Sequence, residues 1–358
     1  MAGVSGISAI QTQPFGGRYM YLLYDSFGRA NSDALGYTEG RGPLGLARLR
    51  LPWTTIGGDF DIAGNLVVAG DAQANLAING NFAAWTGDNP NSWAVVESGP
   101  TTDITEVATG EAHAAAPTLG GGLCNIYRSG GGSSSDPRIS QVILVVGELY
   151  AMGVDVDTYT SGTLRIGDVA GYANKMITTT GHHVLVFGAR TDTAAVRTNA
   201  DPTDITFDNV SVRECHAEYI DPGEADVVFR AKLTTPAAGT APAGLILRRN
   251  GATQWLVQMT PGTAGTDFEL IELDDGTPTV RASADRDFAA ATSYRIAVAL
   301  TGQSIIVYED GVQRLSYATG TVGQTNTQFG IWDSAAGNFR FDNVEITQYA
   351  RYNHAGGY

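Results

Sequence analysis

Cysteine is scarce in this sequence, and so are long apolar runs. Only Cys124 and Cys215 occur among 358 residues, so a framework of disulfides is excluded. Two reduced or buried thiols are favoured over a single Cys124–Cys215 disulfide. No segment approaches the roughly 18 apolar residues that a membrane-spanning helix requires. Residues 1–15 also lack the basic and apolar regions of a secretory signal peptide, so we expect neither membrane insertion nor export by that route.

Positively charged residues are also scarce. The chain has 22 Lys and Arg residues against 37 Asp and Glu residues, a net charge of −15. General nucleic-acid binding needs a positive surface to replace counterions, and so does adhesion to anionic membranes. We therefore expect no nucleic-acid partner. The acidity suits both calcium sites and solubility, and solubility is the simpler explanation.

Motifs of familiar catalytic sites are missing as well. The sequence contains no Gly-x-Ser-x-Gly elbow, no phosphate-binding loop and no His-Glu-x-x-His. Among the five histidines, His182 and His183 are adjacent on a predicted strand. Neighbours on a strand point to opposite faces, so these two cannot easily share one metal ion. We expect a protein that is not an enzyme.

The sequence is rich in residues that form short strands and tight turns. Its 45 glycines accompany many Thr, Ser, Val and Ala residues. Apolar and polar residues alternate in 226–233 and in 294–300, as in strands with one buried face. Asp274–Gly276 and Glu309–Gly311 follow or separate such runs and predict hairpins. Because no long segment has helical periodicity, the predicted fold class is all-β.

The tetrapeptide Phe-Asp-Asn-Val occurs twice, at Phe207–Val210 and at Phe341–Val344. Each copy belongs to a strand pattern that then breaks off, so each is predicted to close a β-domain. Two closing strands imply two domains. The segments that would form the first strands of these domains do not follow one another as they would in two consecutive domains. We therefore predict that one domain is inserted within the other, which a surface loop can accommodate.

Two resemblances give these domains an identity. Residues 75–214, with NLAINGNFAAWTGDNPNSW, SGTLRIGD and ITFDNVSVRE, resemble the jelly rolls of family 4/9 carbohydrate-binding modules. Residues 21–74 and 215–349, with YDSFGRANSDALG and FGIWDSAAGNFRFDNVEI, are similar to a laminin-G/concanavalin-A-like sandwich. The resemblances imply two β-sandwich or jelly-roll domains, the jelly roll inserted within the other. An extended N-terminal arm at 1–20 and a C-terminal tail at 350–358 flank them.

The aspartate of each Phe-Asp-Asn-Val copy is a candidate ligand of structural calcium. In the jelly-roll family a strand-terminal aspartate and backbone near the first strand hold such an ion, which the resemblance carries over to Asp208 with carbonyls of Asn79–Asn81. Asp342 is the matching candidate. One carboxylate is far short of the about six to eight oxygens that Ca²⁺ takes. The alternative is that both aspartates accept hydrogen bonds from neighbouring backbone N–H groups.

Aromatic side chains of the predicted jelly roll are candidates for stacking on sugar rings, because they offer flat apolar platforms. Trp85 and Trp93 flank a turn and are predicted to pack in the core near the first strand instead. The predicted carbohydrate-binding residues are Tyr127, Arg128, Tyr159 and Tyr172.

These features favour a non-enzymatic structural protein on the surface of a tailed bacteriophage virion, as a tail fibre, minor tail component or capsid decoration. The arm, with the lengthened loop 39–52, is predicted to dock onto other virion proteins. The jelly roll is predicted to bind a host cell-surface glycan, with a homo-oligomer such as a trimer supplying avidity. Two alternatives remain open: a bacterial extracellular carbohydrate-binding protein or accessory module, and a purely structural cement that binds no sugar.

Overall fold

The structure is a computed structural model, and it describes residues 20–27, 32, 34–38, 51–55, 60–63, 66–69, 73–87, 89–97, 102–108, 122–129, 137–170, 174–198, 202–262, 267–318, 321–334 and 339–348. Within these ranges the chain is all β, as predicted, and contains no helix. It follows that none of the described residues forms a helix able to cross a membrane.

In chain order the strands are β1 (Met20–Asp25), β2 (Thr54–Thr55), β3 (Phe60–Ala63), β4 (Leu66–Ala69), β5 (Trp85–Thr86), β6 (Asn89–Pro90), β7 (Ala94–Val96), β8 (Thr102–Val107), β9 (Leu123–Arg128), β10 (Arg138–Val142), β11 (Leu149–Ser161), β12 (Leu164–Asp168), β13 (Asn174–Ile177), β14 (Gly181–Gly188), β15 (Thr193–Thr198), β16 (Thr203–Glu214), β17 (His216–Ile220), β18 (Val227–Thr234), β19 (Ala243–Asn250), β20 (Thr253–Met259), β21 (Phe268–Asp274), β22 (Thr277–Ala284), β23 (Ser293–Thr301), β24 (Ser304–Glu309), β25 (Val312–Tyr317), β26 (Gln328–Asp333) and β27 (Arg340–Gln348).

The chain divides into two compact units. The first unit comprises Met1–Ala72, His216–Glu272 and Thr279–Tyr358, and the second comprises Gln73–Cys215 and Leu273–Pro278. The family identities that the resemblances imply for the two units stay predictions. Residues 1–19 of the predicted arm, 39–50 of the lengthened loop and the tail at 350–358 lie outside the described residues.

The first unit contains two large sheets. One has the strand order β25-β24-β23-β18-β27-β4-β3 with β1 paired to β27, and the other has the order β2-β17-β26-β19-β20-β21-β22. Both sheets contribute to one apolar core, where the rings of Phe229 on β18 and Phe329 on β26 meet edge to face at 5.9 Å. The predicted half-buried strand at 226–233 corresponds to β18. Every second side chain of β18 points into the core, because successive side chains of a strand point to opposite faces.

The second unit also contains two sheets, each of five strands. Their orders are β13-β12-β15-β10-β7 and β14-β11-β16-β9-β8, with β5 and β6 forming a small separate pair. The core draws side chains from both five-stranded sheets. The predicted packing of the two tryptophans against the core is confirmed: Trp93 is buried in it, Trp85 is partly buried against it, and both rings contact Phe82.

The two Phe-Asp-Asn-Val copies form the same β-bulge. One copy lies in β16 and the other in β27, and in each the strand register shifts at the motif. Asn209 and Asn343 have φ values of 50° and 51°, a left-handed conformation that asparagine tolerates better than most residues. The phenylalanine and valine on either side of the Asp-Asn pair are buried. The repeated motif therefore forms a β-bulge in each unit, and the bulge places one aspartate on the sheet face that points away from the core.

Candidate functional site

The candidate site lies on one face of the sheet β14-β11-β16-β9-β8 in the second unit. Along β9 the side chains alternate: Cys124 and Ile126 belong to the core, so Asn125 and Tyr127 point to the opposite face. Directly opposed residues on neighbouring strands share a face, which extends this surface across the sheet. We call it the acidic face and define it by Asp103, Thr105, Asn125, Tyr127, Asp155, Asp204, Thr206 and Asp208.

Tyr127 occupies the middle of a row of three side chains on the acidic face. Its cross-strand partner on β8 is Asp103, and its partner on β16 is Asp204. Side chains opposed in this way have Cβ atoms about 5 Å apart. All three residues are partly exposed. The tyrosine ring is thus bordered by a carboxylate on either side.

Asn125 forms the buried floor beside this row. It is 0% exposed, and its Nδ2 donates hydrogen bonds to Asp204 Oδ1 and Thr206 Oγ1, each at 3.0 Å. These bonds hold the Asp204 carboxylate in place. Among the described residues, no donor reaches the buried Oδ1 of Asn125. A buried acceptor without a hydrogen bond lowers the stability of the folded state, so the Oδ1 atom of Asn125 calls for an explanation.

Asp155 and Asp208 are cross-strand partners at the other end of the acidic face. His182 Nδ1 lies 2.6 Å from Asp155 Oδ1, and Asn209 Nδ2 donates to Asp155 Oδ2 at 3.0 Å. The pKa of Asp208 is raised, chiefly by burial and further by the negative charges of Asp155 and Asp157. The neighbouring carboxylates therefore create a negative potential at Asp208, which favours the neutral form of its carboxyl group.

Two of the predicted sugar-binding residues do not reach the acidic face. Arg128 directly follows Tyr127, so it points to the opposite face, where its side chain is 2% exposed. Tyr159 packs against the core of the second unit, and its hydroxyl donates to the Gly162 carbonyl at 2.9 Å. The fourth predicted residue, Tyr172, lies outside the described residues. The structure therefore does not bring Arg128 and Tyr159 together with Tyr127 on one face, and sugar binding by these residues stays a prediction.

The sequence-based prediction also missed the polar partners of Tyr127. Asp103, Asn125 and Asp204 were not among the predicted residues. A signal for one of them was available, since Asn125 is two positions from Tyr127 on the same strand and so shares its face. Asp103 and Asp204 come from other strands, and their register relative to Tyr127 is a tertiary property.

The predicted calcium ligands have other partners in the structure. Asp208 and Asp342 each accept a hydrogen bond from the backbone N–H of the asparagine that follows, which is the alternative considered for them. Lys232 Nζ also lies 3.4 Å from Asp342 Oδ2, so an ammonium group occupies the surroundings of that carboxylate. Near Asp208, the carbonyl of Asn79 accepts from Trp93 Nε1 at 3.2 Å and that of Gly80 accepts from Val210 N at 2.8 Å.

The histidine pair behaves as the alternation predicts. Residues 182 and 183 oppose Asp155 and Val154, so their side chains lie on opposite faces of β14. His183 Nε2 lies 3.0 Å from the Thr179 carbonyl, and burial lowers its pKa. Within the ranges that the structure describes, no group of three or more His, Cys, Asp or Glu side chains is placed to hold a metal ion.

Comparison with known proteins places the chain beside carbohydrate-related structures at low similarity. No family model matches the chain, and no curated protein does. Among solved structures it is similar to the carbohydrate-binding module CBM66 from Bacillus subtilis, at 16% identity and a TM-score of 0.28 over 38% of this chain and 83% of that chain. It is similar to the Bacillus licheniformis β-glucanase, at 12% identity and a TM-score of 0.30 over 56% of this chain and 98% of that one.

A third similar structure is the κ-carrageenase from Pseudoalteromonas carrageenovora, at 11% identity and a TM-score of 0.29 over 58% of this chain and 82% of that one. By name, all three proteins are related to carbohydrates. At these identities and TM-scores, however, the likeness carries no argument about the ligand or the activity of this chain.

Proposed function

We propose that this protein is a non-enzymatic glycan-binding protein and that the acidic face of the second unit is its binding surface. The observation that carries the proposal is the row of Asp103, Tyr127 and Asp204. A partly exposed aromatic ring offers a platform for a sugar ring, and carboxylates on either side accept hydrogen bonds from sugar hydroxyls. Asn125 supports this arrangement because it holds Asp204 from below.

We further propose that the protein is carried on the surface of a tailed bacteriophage virion and attaches the particle to a host-surface glycan. This part is carried over from the sequence, from its resemblance to two β-sandwich domains, one inserted within the other, with an extended N-terminal arm. A homo-oligomer on the particle would present several acidic faces at once, and linked weak sites gain avidity. The alternative, a bacterial extracellular carbohydrate-binding protein or accessory module, would use the same face. Proteomics of purified particles separates the two, since absence from the particle contradicts the virion role.

Replacing Tyr127 with Ala is expected to weaken glycan binding about tenfold, because the platform is removed while the sheet remains. A glycan array probed with the full chain in multivalent form identifies the ligand, and titration of that ligand gives the affinities of both proteins. Tyr37→Ala is the matched control, since Tyr37 is an exposed tyrosine of the first unit (54% exposed). Its binding should equal that of the unsubstituted protein.

Two results would contradict this proposal. Binding that is unchanged in the Tyr127→Ala protein places the glycan elsewhere, and an array without any ligand favours the purely structural alternative. The same mixtures are assayed for newly formed reducing ends. Release of reducing ends that stops in an Asp155→Asn variant would show hydrolysis and overturn the non-enzymatic part.

Structural calcium at Asp208 is a subsidiary proposal. Asp208 Oδ1 is buried, and no donor among the described residues reaches it. A bound ion stabilises the folded state, so EDTA is expected to lower the melting temperature of the unsubstituted protein and to have no effect on Asp208→Asn. Asp342→Asn should keep the response, because Lys232 already neutralises that carboxylate. Equal melting temperatures with calcium and with EDTA would count against an ion at either aspartate.

A further inference from the structure

The surroundings of Tyr127 suit a positively charged group better than a neutral one. Its two direct cross-strand neighbours, Asp103 and Asp204, are both acidic. An ammonium group is attracted to the face of a tyrosine ring, and it forms short charge-assisted hydrogen bonds with carboxylates. A ring bordered by two carboxylates offers both interactions to one small cation.

The buried Asn125 supplies a second, independent indication of a missing donor. It lies two residues before Tyr127 on the same face, and its direct partner on β16 is Thr206, between Asp204 and Asp208. Its Nδ2 is used by Asp204 and Thr206, whereas no donor among the described residues reaches its Oδ1. A ligand that brings N–H or O–H donors to this face and displaces the side chains that cover Oδ1 would supply the partner that Oδ1 lacks.

The rest of the acidic face is negatively charged, like the row around Tyr127. Asp155 extends the row of carboxylates along the sheet. His182, the cross-strand partner of Asp155 on β14, is already bonded to it. Arg128, although it follows Tyr127, is buried on the other side of the sheet and does not neutralise this face. Such a surface repels uronic-acid or sulfated glycans, and it attracts protonated amines.

We infer that the acidic face binds glycans that carry protonated amino groups, that is, polymers or oligomers with free amino sugars. This inference rests on the proposed function and adds the class of ligand. Tyr127 receives the face of the amino sugar, and Asp103 and Asp204 accept hydrogen bonds from its ammonium group. Asn125 keeps Asp204 in position and so acts as a positioning residue.

The test compares two oligosaccharides that differ only in acetylation. The full chain is titrated by calorimetry with the glucosamine hexamer and with the N-acetylglucosamine hexamer, near pH 6, where the free amines are protonated. The glucosamine hexamer is expected to bind at least about tenfold more tightly. Asp204→Asn should remove this preference. Asp221→Asn is the matched control, since it removes the same charge from an exposed aspartate of the first unit.

Each outcome decides between the possibilities. A preference for the amine that is lost in Asp204→Asn and kept in Asp221→Asn supports the inference. Equal binding of both hexamers overturns it and leaves the proposed function intact. Equal losses in the two variants show non-specific attraction of a polycation to a chain of net charge −15, and also overturn it.

A lysine-rich peptide that displaces the hexamer at lower concentration would make the partner a protein. Failure of every glycan on the array contradicts the proposed function itself.

Discussion

Replacing Arg248 with Met is expected to lower the free energy of unfolding by about 3 kcal/mol. The Arg248 side chain is 0% exposed, and its donors bind the carbonyls of Ala225 (3.2 Å) and Gly302 (2.8 Å) and the carboxylate of Asp226 (3.0 Å). Methionine fills part of the volume but leaves both carbonyls without these donors. Chemical denaturation followed by circular dichroism measures the loss.

The matched control is Arg340→Met, which removes the same charge from an exposed position on β27. Its unfolding free energy should change by no more than about 0.5 kcal/mol. Arg248→Lys is expected to fall between the two, because an ammonium group cannot reproduce the planar fork of the guanidinium. An Arg248→Met protein as stable as the control would show that the buried bonds are replaced at no cost, for instance by water.

Replacing Phe207 with Ala is expected to destabilise the second unit by about 4 kcal/mol. The ring is 0% exposed and meets Phe82 edge to face at 5.6 Å with an interplanar angle of 83°. Removing it leaves a cavity in a core that closely packed aromatic rings fill. Hydrogen exchange measured by mass spectrometry should then show lost protection in peptides from 137–170 and 174–198.

The first unit supplies the matched variant through the repeated motif. Phe341 meets Phe60 edge to face at 5.6 Å with an angle of 82°, nearly the same geometry. Phe341→Ala should therefore reduce protection in peptides from 243–262 and 293–318, while Phe207→Leu should cost less than either alanine variant. If Phe207→Ala left exchange in the second unit unchanged, the packing of Phe207 against Phe82 would be contradicted.

Several parts of the fold follow from short-range patterns in the sequence. The turn Asp310-Gly311 joins β24 to β25, and Asp275-Gly276 joins β21 to β22, as the hairpin signals predict. All four residues have positive φ, which aspartate and glycine tolerate, so the chemistry of the turn is visible in the sequence itself. The β-bulge was not predicted, although asparagine at its left-handed position was a signal for a local break in the ladder.

The candidate site was less accessible to prediction. Tyr127 was identified from its residue type, and it does lie on a surface away from the core. Arg128 and Tyr159 were added on the same grounds, but they do not share the face of Tyr127, because residue type alone does not say which face of a strand is buried. Ile126 lies in the core and Tyr159 packs against it, and only this packing shows that Tyr127 and Tyr159 belong to opposite faces.

By itself, the sequence determined the all-β class, the hairpin turns and the packing of the two tryptophans against the core, because alternation, positive φ and apolar surface are properties of a residue and its near neighbours. The tertiary structure alone decided that Tyr127 stands between Asp103 and Asp204, and that Asn125 holds one of these carboxylates. These contacts join strands far apart in the chain. Their register depends on the packing of whole sheets, which no local pattern specifies.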